Sequence, residues 1–317
     1  MNLAVRCLEA HVRDELPKGF LSVAECHINE DAGAVCDRIA ALGPALLAMT
    51  CHIWSHGFGE SLAVGLKRRL PGLVVVVGGP EIPPDPEPRI ALLRRRPDAD
   101  ILVAGEGEIP FRDLLRLFRK GWPPPAASLA AVPSLAYRIP GDPDGACAAT
   151  PCAPPLSPAD WRDPYPDGFG DLAGRTPYLE TSRGCPSACA FCLSSRSGGV
   201  RLLPADEAIR RIDRAFDAGL LCIKLVDRTF NADPDRARMI FRHLSDRAAA
   251  VEAGTQVPRF HFEMDGGRID EGTLEILAGV PVGLLQFEIG VQSADPAVLR
   301  AVGRPDRIAR IGEVARR

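Results

Sequence analysis

The segment "RGCPSACAFC" holds three cysteines, Cys185, Cys189 and Cys192, separated by three and then two residues. Thiolates are strong metal ligands and nucleophiles, so their crowding on a polar, glycine- and serine-bearing stretch points to chemistry. Several readings fit the residues. A structural zinc site takes four protein ligands, and no paired CxxC or HxxxH follows, which leaves a zinc held by three thiolates. "CAFC" alone could be a redox pair, although such a pair needs no third cysteine. An iron-sulfur cubane bound by three thiolates leaves one iron open for a substrate. Three incidental thiols are the plainest reading. The chain has 10 cysteines in all, scattered apart from this group. That pattern favours a reducing compartment and metal chemistry over a disulfide framework. Cys7, Cys36 and Cys222 sit in apolar periodic patterns and read as buried fillers.

The elements that must position these thiols follow from periodicity. Residues 46–51, 73–79 and 101–108 read as buried parallel strands, each followed by a helical pattern; helices are expected over 32–42, 59–70, 87–96 and 109–121. This predicts an α/β fold whose first domain, residues 1–122, is doubly wound. Residues 123–177 are rich in proline, glycine and aspartate and read as a linker, with one hairpin around "PSLAYR". From Tyr178 the alternation resumes, with strands at 178–182, 222–227, 259–265 and 284–290 and helices at 204–217, 233–249, 270–278 and from Asp295. Residues 178–317 thus read as a partial β/α barrel with four strands in view. The cysteines follow its first strand, on the face where such barrels carry their chemistry.

Bulk properties exclude other classes. With 317 residues and a net charge of −3, the chain offers no basic field for nucleic acid. Arg68–Arg69 and Arg94–Arg96 read as solvated helix ends. No stretch reaches the roughly 18 apolar residues of a membrane span, and the N-terminus lacks a secretory layout, so a cytoplasmic setting is expected.

The cysteine motif, with Phe191 before its last cysteine, resembles the CxxxCxxC signature of radical S-adenosylmethionine (SAM) enzymes. That resemblance implies that Cys185, Cys189 and Cys192 ligate a 4Fe-4S cluster whose fourth iron binds SAM. Reduction would then cleave SAM to methionine and a 5'-deoxyadenosyl radical. The segments "IKLVDRTFNADPDRA", "FHFEMDGGRID" and "FEIGVQSADPAVLRAVGR" are similar to later strand segments of cobalamin-associated radical SAM proteins. Asp227, Glu263, Glu288, Gln292 and Ser293 are the SAM-binding candidates so implied. Alternatives stay open: Asp227 could pair with Arg228 or cap a helix, Glu263 could bridge barrel side chains, and Ser293 could be an N-cap.

In a doubly wound sheet the loops beyond the strand ends, "CHIWSHG", "GGPEIPP" and "GEGEIP", line one crevice, where glycines would let a large flat ligand approach. These loops resemble those of the cobalamin-binding domain preceding the barrel in class B radical SAM proteins. Cys51, Trp54, Gly78, Gly79, Glu106 and Gly107 are the positions implied against the corrin. The Asp-x-His-x-x-Gly motif is missing and neither His52 nor His56 fits it, so base-off cobalamin is expected.

Leu3, Cys7, Leu8, Val12 and Leu16 form a helical stripe where such domains open with a strand, and the chain stops in a helical pattern at "RIARIGEVARR". A fragment of a longer protein is therefore expected, with a second chain completing the barrel as one partner. The other expected partners are a small-molecule or peptide substrate and a flavodoxin- or ferredoxin-type reductant, with no nucleic acid and no membrane. The implied reaction is methyl transfer to an unactivated carbon. Radical cyclisation or ring rearrangement, or a non-catalytic cluster- and cobalamin-binding module, are the alternatives.

Overall fold

The computed structural model describes residues 2–172, 174–252 and 254–317. The chain divides into two compact units, Asn2–Leu156 and Ser157–Arg317.

The first unit begins with α1 (Leu3–Val12), capped by the Asn2 side chain, which also reaches the Thr50 hydroxyl at 2.9 Å. The helical stripe at 3–16 therefore forms a helix over its first ten residues. Then follow α2 (Ala32–Ala40), β1 (Leu46–Thr50), α3 (His56–Arg69), β2 (Val74–Gly78), α4 (Pro86–Arg95), β3 (Ile101–Val103), α5 (Glu108–Lys120), α6 (Ala126–Ala130), β4 (Leu135–Arg138) and β5 (Cys147–Ala149). Strands β1, β2 and β3 are parallel neighbours, and β4 and β5 extend the sheet antiparallel. The four consecutive valines of β2 show why it reads as an apolar run. Val75 and Val77 join α2, α3 and α4 in one core, while Val74 and Val76 join Leu114 of α5 in the other.

The segment expected as a linker is a linker only in part. Leu135–Arg138 and Cys147–Ala149 are strands of the first sheet, paired Ala136 to Ala149 and Tyr137 to Ala148. Buried Arg89 of α4 secures them by donating to the carbonyls of Ser134 (2.8 Å) and Thr150 (2.7 Å). Proline and glycine content marks the loops between these strands but conceals two short strands of three and four residues.

In the second unit, β6 (Tyr178–Leu179), β7 (Ser182–Arg183), β8 (Arg201–Leu202), α7 (Ala205–Asp217), β9 (Cys222–Leu225), α8 (Pro234–Ala249), β10 (Arg259–Met264), α9 (Glu271–Ala278), β11 (Leu285–Ile289), α10 (Pro296–Ala301) and α11 (Ile308–Arg316) follow in order. A four-stranded parallel sheet runs β6-β9-β10-β11, each strand beside its predecessor in that series. Proline at the first helical turn and an aspartate cap set the starts of α8 (Asp233) and α10 (Asp295); Asp270 caps α9. The expected single strand at 178–182 is broken in two. Beyond Leu179 the chain leaves the parallel sheet, and Ser182–Arg183 pairs antiparallel with Arg201–Leu202.

Alternation along β10 divides the sheet into two faces. Phe260 and Phe262 are buried, and Phe262 meets Phe230, Phe241 and Phe287 with ring centroids 4.5, 5.3 and 6.1 Å away. The intervening residues, His261 and Glu263, share the opposite face with Lys224 of β9 and Glu288 of β11. Among the described residues no helix is long and apolar enough to cross a membrane.

Candidate functional site

The cysteine loop begins where β7 ends. Gly184 at φ 98° turns the backbone into a left-handed conformation that a side chain would strain, and Cys185 follows directly. All three cysteines are free thiols; Cys189 is 4% exposed, while Cys185 and Cys192 are partly exposed. Hydrogen-bond donors face two of the sulfurs. The Cys185 Sγ lies 3.2 Å from the Thr229 Oγ1 and receives the Ser187 N–H at 3.5 Å. Arg304 donates to the Cys189 Sγ at 3.7 Å. Donors around a ligand sulfur fix its orientation. Phe191 and Leu193 are exposed beside them.

Among the described residues no three histidines, cysteines, aspartates or glutamates converge as a single metal ion demands. A donor set of three thiols on one loop, without a fourth protein ligand, fits a larger iron-sulfur cluster.

The residues implied for SAM fall in different places. Asp227 has no exposed surface, and both its oxygens are used: Thr181 donates its hydroxyl at 2.8 Å and its N–H at 3.2 and 3.3 Å. Burial pushes its carboxyl above the ordinary carboxylate range, opposed by the Thr181 hydrogen bonds and the Arg236 guanidinium. Asp227 therefore holds the break between β6 and β7 to β9, pairing with neither Arg228 nor a helix cap. Glu263 lies 3.7 Å from both the Lys224 ammonium and the Arg228 guanidinium, so it bridges side chains on the polar face. Glu288 lies 3.5 Å from Lys224 and from the His261 Nε2. Gln292 is exposed at φ 67°, one of two non-glycine residues with positive φ among those described. Such strain at a strand's C-terminal end is typical of binding loops. Ser293 accepts the Asp295 N–H at 3.0 Å, and Asp295 itself caps α10.

In the first unit the loops at the strand ends are built around Cys51. Its N–H donates to the Gly78 carbonyl at 2.6 Å, and a Cβ on Gly79 (φ 115°) would stand 2.6 Å from the Cys51 oxygen. Glycine at 79 is thus required by the protein's own backbone. Cys51 is buried, and desolvation raises its thiol pKa. Gly78 makes only ordinary contact with Val103. Glu106 accepts the Leu156 N–H at 2.8 Å, and Gly107 leads into α5 with Leu8 against it. Trp54 differs from these: it is 68% exposed, stacked on His52 at 4.8 Å, beside Ile53 at 76%. Burial lowers the His52 pKa, and the His56 Nε2 lies 3.1 Å from Arg96, itself paired with Asp98 at 2.6 Å.

Thr229, Arg304, Thr181 and Lys224 were not singled out from the sequence. Thr229 sits two residues beyond Asp227 at a strand's C-terminal end, a position that could have flagged it.

Comparison with known proteins agrees with this geometry. Residues 179–317 match the Radical SAM superfamily model. Over 282 residues the chain is 29% identical to 2-(S-pantetheinyl)-carbapenam-3-carboxylate methyltransferase of Streptantibioticus cattleyicolor, covering 82% of this chain and 38% of that relative's length. The fold is similar to that of the cobalamin-dependent S-adenosylmethionine radical enzyme OxsB, with a TM-score of 0.75 at 17% identity over 100% of this chain and 44% of that one. It is also similar to the radical S-adenosylmethionine methyltransferase TsrM from Kitasatospora setae with cobalamin and a 4Fe-4S cluster bound, at a TM-score of 0.70 and 16% identity over 99% of this chain and 61% of that one. Residues 179–317, which carry the cysteine loop at the end of β7, thereby belong to the radical SAM superfamily.

Proposed function

We propose that this chain belongs to a cobalamin-dependent radical SAM methyltransferase acting on a small molecule. The observation that carries the reading is the cysteine loop: three free thiols on one loop, with the Ser187 N–H facing the Cys185 sulfur and Arg304 facing that of Cys189. When bound, a 4Fe-4S cluster with SAM supplies radical cleavage of SAM, and cobalamin carries the methyl group.

The chain's own residues have definable tasks. Cys185, Cys189 and Cys192 would ligate the cluster, with Thr229 and Ser187 holding Cys185 in orientation. Residues 178–317 would form a partial β/α barrel, and the polar face of its sheet, bearing Glu263 and Glu288 with Gln292 and Ser293 at the strand end, would meet the amino and hydroxyl groups of SAM. Residues 2–156 would take cobalamin, with exposed Trp54 and Ile53 offering it an apolar platform. His52 and His56 are engaged with Trp54 and Arg96, which supports base-off binding. A flavodoxin- or ferredoxin-type protein would deliver the electron.

The test is turnover under anaerobic, reducing conditions with cobalamin and SAM. Formation of 5'-deoxyadenosine together with S-adenosylhomocysteine supports methyl transfer. Deoxyadenosine alone would favour cyclisation or rearrangement, and neither product would leave a cluster-binding module.

A further inference from the structure

Helix α10 ends in a turn whose next residues grip the cysteine loop. Gly303, at φ 68°, and Arg304 close the helix: the Gly303 N–H donates to Arg300 and the Arg304 N–H to Leu299, at 3.1 and 2.9 Å. This pair of bonds is the Schellman arrangement, which fixes the direction of the chain after the helix. Leu299, 1% exposed, anchors the helix in the core. Three consecutive residues then meet three consecutive residues of the loop. The Val302 carbonyl accepts the Ala190 N–H at 2.9 Å. Gly303 approaches so closely that a Cβ would stand 3.2 Å from the Ala188 carbonyl oxygen. Arg304 donates one nitrogen to the Cys189 Sγ at 3.7 Å and the other to the Gly290 carbonyl at 2.6 Å.

The second bond of Arg304 holds its guanidinium beside the sulfur and at the end of β11. Among the described residues no carboxylate pairs with Arg304, so its charge is not cancelled there. A guanidinium stays protonated at any working pH. Hydrogen bonds and positive charge next to a ligand sulfur favour the more reduced, more negative state of an iron-sulfur cluster.

We infer that Val302, Gly303 and Arg304 clamp the cysteine loop, and that Arg304, as a positioning residue, makes one-electron reduction of the cluster held by Cys189 easier. The inference rests on the proposed cluster. The electron comes from a reductant of the flavodoxin or ferredoxin class, or from dithionite in vitro, and enters the cluster without bond making.

The test compares the full chain with Arg304→Gln and Arg304→Lys after anaerobic reconstitution with iron and sulfide, each titrated electrochemically and read by EPR. At a fixed potential the reduced-to-oxidised ratio should fall about tenfold in Arg304→Gln, equivalent to about 59 mV for one electron, and recover in Arg304→Lys. A Gln variant that loses the cluster while the Lys variant keeps it supports the same role. Equal midpoints at full iron loading, or loss of the cluster in both variants, would overturn the charge role. Hydrogen exchange in the iron-free chain tests the clamp separately: peptides containing the Ala190 amide should exchange about tenfold faster in Gly303→Ala and Arg304→Gln. Unchanged exchange overturns the clamp, whereas a wild-type chain that takes up no cluster counts against the proposed function alone.

Discussion

Asp227 and Thr181 form one buried unit: the carboxylate accepts both the Thr181 N–H and its hydroxyl, the latter at 2.8 Å, and no part of Asp227 reaches solvent. Arg236 shares the site, donating to the Thr181 carbonyl at 3.2 Å. Asp227→Ala strands a buried N–H, a hydroxyl and a guanidinium, and should cost about 3 kcal/mol in urea unfolding. Asp227→Asn, which still accepts from Thr181, should cost about half as much. A loss of SAM affinity at unchanged stability would instead mark Asp227 as a ligand.

Gly79 is required by close backbone approach and by its conformation, since a Cβ there would stand 2.6 Å from the Cys51 oxygen at φ 115°. Gly105 has φ 70° but nothing within 4 Å. Gly79→Ala should therefore destabilise by about 3 kcal/mol and Gly105→Ala by about 1 kcal/mol. Denaturant melts of the two variants measure the difference, and equal losses would show that the contact with Cys51 is unimportant.

Trp54 contributes little to the folded core because it is two-thirds exposed. Its replacement by alanine should leave stability within about 0.5 kcal/mol. Cobalamin affinity, followed by absorbance titration of the full chain, should weaken about tenfold. Unchanged affinity would remove Trp54 from the corrin site.

The Asp270 carboxyl is held at about 2, first by the Arg238 guanidinium and then by Thr273. Its folded pKa lies below the ordinary value of 3.8, so the stabilisation is complete above about pH 4 and fades as pH falls towards 2. Asp270→Asn keeps a capping side chain but loses the charge. Wild type should exceed this variant in stability near pH 6, by a margin that shrinks on acidification; a margin independent of pH would exclude the ion pair as its source.

Much of this molecule could be read from its residues, for identifiable reasons. The valine run 74–77 and the alternation of Phe260, Phe262 with His261, Glu263 announce strands because burial selects those patterns. The cysteine spacing announced the loop proposed here to hold the cluster. Long-range pairing was hidden. Nothing in "PSLAYR" says that it joins the sheet of Ile101–Val103, and nothing in the strand-like "YLETS" says that Asp227 draws Thr181 out of line. Gly79 was legible as a glycine at a strand end, but its contact with the Cys51 backbone, which by itself demands glycine there, was not. Arg304 lay in a motif already noticed, but its sulfur partner is 115 residues away in sequence.

The central claim is that the three cysteines hold a cluster with one iron open to SAM. The most direct measurement is the EPR spectrum of the full chain, anaerobically reconstituted and reduced with dithionite, with and without SAM, beside Cys189→Ala. The account predicts a reduced 4Fe-4S signal that changes shape on adding SAM and vanishes in the variant. A chain that takes up zinc in place of iron, or a cluster signal indifferent to SAM, would contradict it.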